Sequence, residues 1–181
     1  MNECIELARI VESRQALLFG EFTLSSGLKS NYYLDMRRLL GDYKAYRGAL
    51  ELLASKAESA FKDFDTVVGV ATGGIPWAAG LALIMGKSLA YVRLERKGHG
   101  TLGVVEGAPP YGKCIVVDDV ATTGASLESA VEVLRRHCEV VGVLVIVDRL
   151  QGAEERMRKA NVRMESVATV EELFECIKSL E

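Results

Sequence analysis

Three observations predict an α/β fold with a doubly wound, mainly parallel sheet. Apolar, β-branched runs recur at Thr66–Val70, Ser88–Val92, Cys114–Val117 and Val140–Val147. Stretches with helical spacing separate them, near Ile75–Met85 and Ala125–His137. The runs are continuous and do not alternate with polar residues, which is the pattern of strands covered by helices on both faces.

Taken in order, Ile5, Leu7, Ala8, Val11 and Leu17 fall near helical spacing and predict a short amphipathic helix over about 3–17. Phe19–Leu24 and Tyr32–Met36 read as two short strands flanking the polar turn Ser25-Ser26-Gly27-Leu28-Lys29-Ser30. Asp42 is placed to cap a helix whose apolar positions are Ala49, Leu50, Leu52, Leu53, Ala57 and Ala60. The strand–helix alternation follows, and the chain closes with a strand near Val162–Val167. A last helix is opened by Thr169, with Glu172 three residues on in capping-box spacing. With 181 residues, 49% of them hydrophobic, and no Pro- or Ser-rich linker, one domain is expected: a small N-terminal hood over about 1–40 and an α/β core over about 41–181.

The 22 basic and 25 acidic residues leave a net charge of −3, which offers neither a nucleic-acid-binding face nor a polybasic membrane anchor. The acidic start, Met1-Asn2-Glu3-Cys4-Ile5-Glu6, does not read as a signal peptide, and no apolar run approaches the length of a membrane span. A soluble cytoplasmic protein is expected. Cys4, Cys114, Cys138 and Cys176 form no CxxC pair and read as reduced, mostly buried small hydrophobes.

The most informative segment is Ile115-Val116-Val117-Asp118-Asp119-Val120-Ala121-Thr122-Thr123-Gly124-Ala125-Ser126. A buried strand runs into two acids and then a small, hydroxyl-rich turn at a helix start. In an open α/β sheet, ligands collect beyond the carboxyl ends of strands, where this turn must lie. Gly124 and Ala125 let backbone N–H groups approach an anion, Thr122, Thr123 and Ser126 offer hydroxyls, and the helix terminus adds partial positive charge. Such a loop suits a phosphate monoester. Asp118 and Asp119 would repel the phosphate, so they fit ribose hydroxyls and a cationic sugar in the transition state. The plainer reading is a helix cap, but a cap does not need two acids and three hydroxyls. Neither GxxxxGK[ST] nor GxGxxG is present.

The apolar-Asp-Asp-…-Thr-Thr-Gly segment resembles the phosphoribosyl pyrophosphate motif of type I phosphoribosyltransferases. Phe22-Thr23-Leu24-Ser25-Ser26-Gly27-Leu28-Lys29-Ser30-Asn31-Tyr32-Tyr33-Leu34-Asp35 is similar to the hood that covers the base in the orotate members. Gly69-Val70-Ala71-Thr72-Gly73-Gly74-Ile75-Pro76 resembles the family's pyrophosphate loop, Arg93-Leu94-Glu95-Arg96-Lys97-Gly98-His99-Gly100-Thr101 its mobile catalytic loop, and Val147-Asp148-Arg149-Leu150-Gln151-Gly152 its orotate-binding segment. Ser25, Gly73 and Leu94 stand where lysine is common in the family, and Leu150 where glutamate is usual.

The resemblance implies a magnesium-dependent pentosyltransferase that makes orotidine 5′-monophosphate from orotate and phosphoribosyl pyrophosphate, in de novo UMP synthesis. It implies a homodimer with the catalytic loop shared across the interface, and Mg2+ held through the donor and water with no direct protein ligand. Lys97, His99, Asp118 and Asp119 would be catalytic. Arg93, Lys97, His99, Gly73, Gly74 and residues Asp118, Asp119, Val120, Ala121, Thr122, Thr123, Gly124, Ala125 and Ser126 would hold the donor. Thr122, Arg149, Tyr32 and Tyr33 would hold orotate, Arg149 through paired hydrogen bonds to the carboxylate. Arg149 could instead pair with Asp148 or cap a strand end. Two alternatives remain open: transfer to another base, and a regulator that keeps the fold to sense a nucleotide.

Overall fold

The structure is a computed structural model and describes residues 3–23, 27, 29–96, 101–107 and 109–180. Helix α1 (Glu3–Ser13) leads into an antiparallel pair, β1 (Leu17–Thr23) and β2 (Lys29–Leu34), and a 3-10 helix, Met36–Gly41. The alternating part follows as α2 (Tyr43–Ala60), β3 (Thr66–Val70), α3 (Gly74–Met85), β4 (Ser88–Arg96), β5 (Thr101–Gly107), β6 (Lys113–Ala121), α4 (Ala125–Leu134), β7 (Glu139–Asp148), α5 (Ala153–Lys159), β8 (Met164–Thr169) and α6 (Val170–Lys178).

The main sheet runs β5-β4-β3-β6-β7-β8, parallel throughout except for the antiparallel edge pair β4–β5. Alternate strand residues feed two separate cores, as period-two geometry demands. Val67, Ile115, Val117, Leu144 and Ile146 pack on the face covered by α2 and α3, where Leu7, Ala8 and Val11 of α1 and Leu173 of α6 also contribute. Val68, Val70, Val116, Val143 and Val145 pack on the opposite face, against Leu127, Ala130, Val131 and Leu134 of α4 and Ala153 and Met157 of α5. Each such Val, Leu or Ile stabilises the fold by about 1.5–3 kcal/mol relative to exposure. The doubly wound sheet is therefore built as the continuous apolar runs predict.

The caps are those the sequence announces. Asp42 accepts the Ala45 N–H at 2.9 Å. Thr169 and Glu172 form a reciprocal capping box, with the Glu172 N–H at 3.2 Å from Thr169 Oγ1 and the Thr169 N–H at 2.7 Å from Glu172 Oε2.

Four differences from the sequence-based expectations have physical causes. Met36 does not end a strand: Met36 and Leu39 are both fully buried, a spacing of three that the tighter 3-10 turn satisfies. The strand expected at Ser88–Val92 continues to Arg96, because β5 pairs with it in antiparallel register from Ala90↔Gly107 to Arg96↔Thr101. Arg93, expected in a loop, thus lies within β4, and its guanidinium bonds Glu106 on β5 at 2.9 Å. The cysteines are not reduced: Cys4 is bonded to Cys176 and Cys114 to Cys138, with Cα separations of 6.2 and 6.3 Å inside the range a disulfide spans. The first bond ties α1 to α6 and the second ties the start of β6 to the turn before β7, contacts between residues 172 and 24 positions apart that spacing alone does not reveal.

Two measurements test this architecture. Thr169→Ala should lower stability by about 1 kcal/mol in denaturant unfolding, since it removes the hydroxyl that accepts the Glu172 N–H. In the unfolded, unreduced chain none of the 4 cysteines should take up iodoacetamide, and all should do so after reduction; uptake without reductant would refute the pairing.

Candidate active site

A topological switch places the site. From β3 the chain crosses by α3 to β4 on one side, whereas β6 pairs with the other side of β3 and crosses by α4 to β7. The two loops leaving the carboxyl ends of β3 and β6 therefore diverge, and a crevice opens between them. It is a cavity of about 480 Å³ lined by Ala71, Thr72 and Gly73 after β3, by the stretch from Asp118 to Leu127 along β6 and α4, by Thr23, Tyr33 and Leu34 from the β1–β2 pair, and by Arg149 after β7.

Close packing between the two loops rests on missing side chains. A Cβ on Gly74 would overlap the Val117 carbonyl, so Gly74 serves to seat the start of α3 on β6, and it does not line the cavity. Gly73 does line it, with the Asp119 carboxylate 2.9 Å from where a Cβ would stand. The Ala71–Thr72 peptide between β3 and α3 is cis.

The acid pair sits at the end of β6. The Asp119 N–H donates to Asp118 Oδ1 at 2.9 Å and the Val120 N–H to Asp119 Oδ1 at 2.8 Å, which restrains both carboxylates, and both residues line the crevice. Burial pushes the Asp118 carboxyl well above the usual carboxylate range, and the adjacent Asp119 charge pushes it further. Burial also raises Asp119, against the lowering influence of the Val120 N–H and of the Arg37 charge.

The turn that follows holds Gly124 at φ +75°, a left-handed conformation that brings it against Ala153 of α5. Thr122, Thr123, Ala125 and Ser126 surround the same end of the cavity, and the Gly124 carbonyl accepts the Glu128 N–H at 2.9 Å to start α4.

Across the cavity, Arg149 is only 4% exposed. Its backbone N–H is held by the Ala121 carbonyl at 3.0 Å, its Nη2 donates to Ser30 Oγ at 2.8 Å, and its guanidinium lies 4.3 Å from the centre of the Tyr32 ring. The neighbouring Asp148 is turned away, accepting the Leu150 N–H at 3.0 Å, and Arg149 Nε is buried without a partner. Among the described residues no carboxylate pairs with Arg149. A buried guanidinium left in this condition is costly unless a ligand completes it.

The structure thus brings together Gly73, Asp118, Asp119, Val120, Ala121, Thr122, Thr123, Gly124, Ala125, Ser126, Tyr33 and Arg149. Tyr32 stands behind Arg149 as its aromatic support and packs edge-on against Phe174. Lys97 and His99 lie outside the described residues. Sequence reasoning missed Thr23 and Thr72 in the lining, Ser30 as the hydroxyl on Arg149, and Arg37, which bonds Asp35 at 2.7 Å and reaches the Tyr33 hydroxyl at 3.4 Å. The hood segment Thr23–Leu34 carried a signal for the first and third of these; nothing in spacing marks Arg37.

A phosphate-sized loop beside a paired-acid strand end, on this sheet order, defines the phosphoribosyltransferase class, and residues 40–173 match the phosphoribosyl transferase domain. The chain is 53% identical over 170 residues to the orotate phosphoribosyltransferase of Aeropyrum pernix, covering 93% of this chain and 91% of the relative. The crystal structure of the Aeropyrum pernix enzyme superimposes with a TM-score of 0.87, at 51% identity, over 96% of this chain and 98% of that one. The orotate phosphoribosyltransferase of Mycobacterium tuberculosis in complex with 5-phospho-alpha-D-ribosyl 1-diphosphate superimposes with a TM-score of 0.72, at 29% identity, over 95% and 99% of the two chains. This chain belongs to the orotate phosphoribosyltransferase family.

The acid pair generates a stability prediction. A carboxyl whose folded pKa is raised above its unfolded value favours folding most at low pH, and that contribution is lost as pH rises through the folded value. Asp118→Asn should therefore raise the melting temperature of the ligand-free chain at pH 7, and the gain should shrink as pH falls through the raised folded value and be gone below about pH 4, near the unfolded carboxyl value. An equal shift at both pH values would show that Asp118 is not a strained acid.

Proposed function

We propose that this chain transfers the 5-phosphoribosyl group from phosphoribosyl pyrophosphate to orotate, giving orotidine 5′-monophosphate and pyrophosphate for pyrimidine nucleotide synthesis. The observation that carries the choice of acceptor is Arg149, a buried guanidinium without a carboxylate partner among the described residues, facing the same cavity as the phosphate loop. An acidic base supplies the missing carboxylate through two parallel hydrogen bonds, which uracil cannot do.

In this reading residues 120–126 hold the 5′-phosphate, with backbone N–H groups, hydroxyls and the start of α4 as donors. Asp118 and Asp119 accept the ribose hydroxyls, and their negative charge favours the positive charge that builds on the sugar as its C–O bond to pyrophosphate breaks and the C–N bond to orotate forms. Thr122, Tyr33 and Arg149 orient the base, with Tyr32 holding the guanidinium in place. Gly73 exposes backbone to the pyrophosphate. By resemblance Arg93, Lys97 and His99 neutralise the leaving group, Arg93 from its place in β4, and the segment carrying Lys97 and His99 closes on the neighbouring subunit of a homodimer. The exposed Leu83 and Ile84 on α3 offer apolar surface for such an interface.

The donor set fits magnesium carried mainly by the substrate. A hydrated Mg2+ keeps waters and takes phosphate oxygens, and the acid pair offers acceptors to those waters. When bound, the ion withdraws charge from the departing pyrophosphate. A cytoplasmic setting is part of the same proposal. It accords with the finding that no described helix is long and apolar enough to cross a membrane.

The test is a spectrophotometric assay of orotate consumption with phosphoribosyl pyrophosphate and magnesium, beside a panel of purine and pyrimidine bases. Orotate alone should turn over. Lys97→Ala should lower kcat by about 10²-fold or more, as loss of a charge-stabilising group does. Arg149→Ala should raise the KM for orotate by about 10- to 100-fold, the range for a lost charged hydrogen bond. Consumption of another base would overturn the acceptor assignment, and tight donor binding without turnover would favour a nucleotide sensor.

A further inference from the structure

We infer that Arg156 is a positioning residue for the donor: it holds the Thr123–Gly124 peptide in the orientation that presents its N–H to the 5′-phosphate. The inference rests on the reading of residues 120–126 as the phosphate cradle.

Arg156 lies on α5, outside the cavity lining, and reaches back to the loop from behind. Its Nε donates to the Thr123 carbonyl at 2.8 Å, and its Nη1 bonds Glu128 Oε2 on α4 at 2.7 Å. The guanidinium therefore bridges the loop and the first turn of the helix that the loop opens. Its two bonds leave through different nitrogens, so the planar group is fixed in both position and tilt.

The consequence for the ligand follows from peptide geometry. In a trans peptide the carbonyl and the next N–H point in opposite directions. Drawing the Thr123 carbonyl toward α5 turns the Gly124 N–H the other way, into the cavity that Thr123 and Gly124 line. Gly124, at φ +75° and without a side chain, sits where this peptide could rotate most freely. Rotation would aim a carbonyl oxygen at the phosphate and replace attraction by repulsion. Ala153, against Gly124 in the same helix as Arg156, blocks the space behind the turn.

The same segment runs from Arg149 to Arg156 through Gly152 at φ +99°. One short stretch after β7 thus presents a cation to the base subsite and braces the phosphate subsite. Global stability depends little on the brace, because the Arg156 and Glu128 side chains are 41% and 33% exposed and ion pairs so placed stabilise a fold weakly. Ligand binding and stability are therefore separable by mutation.

The experiment compares wild type, Arg156→Met and Arg156→Lys by steady-state kinetics with both substrates, by calorimetric titration of phosphoribosyl pyrophosphate with magnesium, and by thermal unfolding. Arg156→Met should raise the KM for phosphoribosyl pyrophosphate by about tenfold while leaving the KM for orotate within about twofold, the pattern of a lost charged hydrogen bond acting on one subsite. Arg156→Lys, which keeps a charged donor but not the fork, should recover part of the donor affinity and provides the readout if the Met variant folds poorly. An unchanged donor KM in Arg156→Met overturns the inference, and so does a rise in both KM values that tracks a fall in melting temperature. Should wild type itself fail to bind phosphoribosyl pyrophosphate, the phosphate-cradle reading falls first, whereas equal binding by wild type and Arg156→Met removes only the role of Arg156.

Discussion

The parallel pairing of β3 with β6, from Thr66↔Cys114 to Gly69↔Val117, governs the rest of the molecule. These strands are far apart in sequence and adjacent in the sheet, and their helices leave in opposite directions. Were β6 not the neighbour of β3, the loops after these two strands would no longer face each other, and the acids of one would have no opposing backbone from the other. The pairing tolerates little at the junction. Gly74 lies so close to the Val117 carbonyl that any side chain there would force α3 off the sheet. The sheet order, the position of α3 and the width of the crevice are thus one constraint expressed three times.

The site is electrostatically unsatisfied in a specific way. Asp118 and Asp119 are held together at the strand end with their ionisation opposed by burial and, for Asp118, by its neighbour. Arg149 is buried opposite them with a hydroxyl and an aromatic ring as its company. The opposite charges do not collapse onto each other, because Asp148 is turned toward Leu150 and the backbone bond from Arg149 to Ala121 keeps the guanidinium's stem in place. Folding energy from the two apolar cores maintains this separation. A ligand bearing a carboxylate, a sugar and a phosphate in sequence can complete what the protein leaves open, and the fixed geometry lowers the reorganisation needed when charge develops.

Much of this was legible in the residues themselves. The strands at Thr66–Val70 and Val140–Val147 were readable because burial on both faces demands unbroken apolar runs. The Asp42 and Thr169 caps were readable because caps are local chemistry. The phosphate loop was readable for the same reason, all of its groups lying within one short stretch. What escaped depends on distant partners. β5 is an edge strand whose pairing with β4 is needed to recognise it, and α5 is barely two turns long. The disulfides join residues brought near only by the finished fold. Ser30 beside Arg149 and Arg156 behind Thr123 are 119 and 33 positions from the groups they hold, beyond the reach of any spacing rule.

The Cys4–Cys176 bond has a topological consequence. It joins α1 to α6 and turns nearly the whole chain into a covalent ring, with β1, the sheet and both cores inside the loop. In such a ring no single backbone break between those cysteines releases a fragment: the severed ends stay tethered, and the pieces remain in each other's presence at high effective concentration. The unfolded chain is also held compact, since its two ends cannot diffuse apart. The edge hairpin formed by β4 and β5 lies within that ring, so the chain could be opened there and still behave as one molecule.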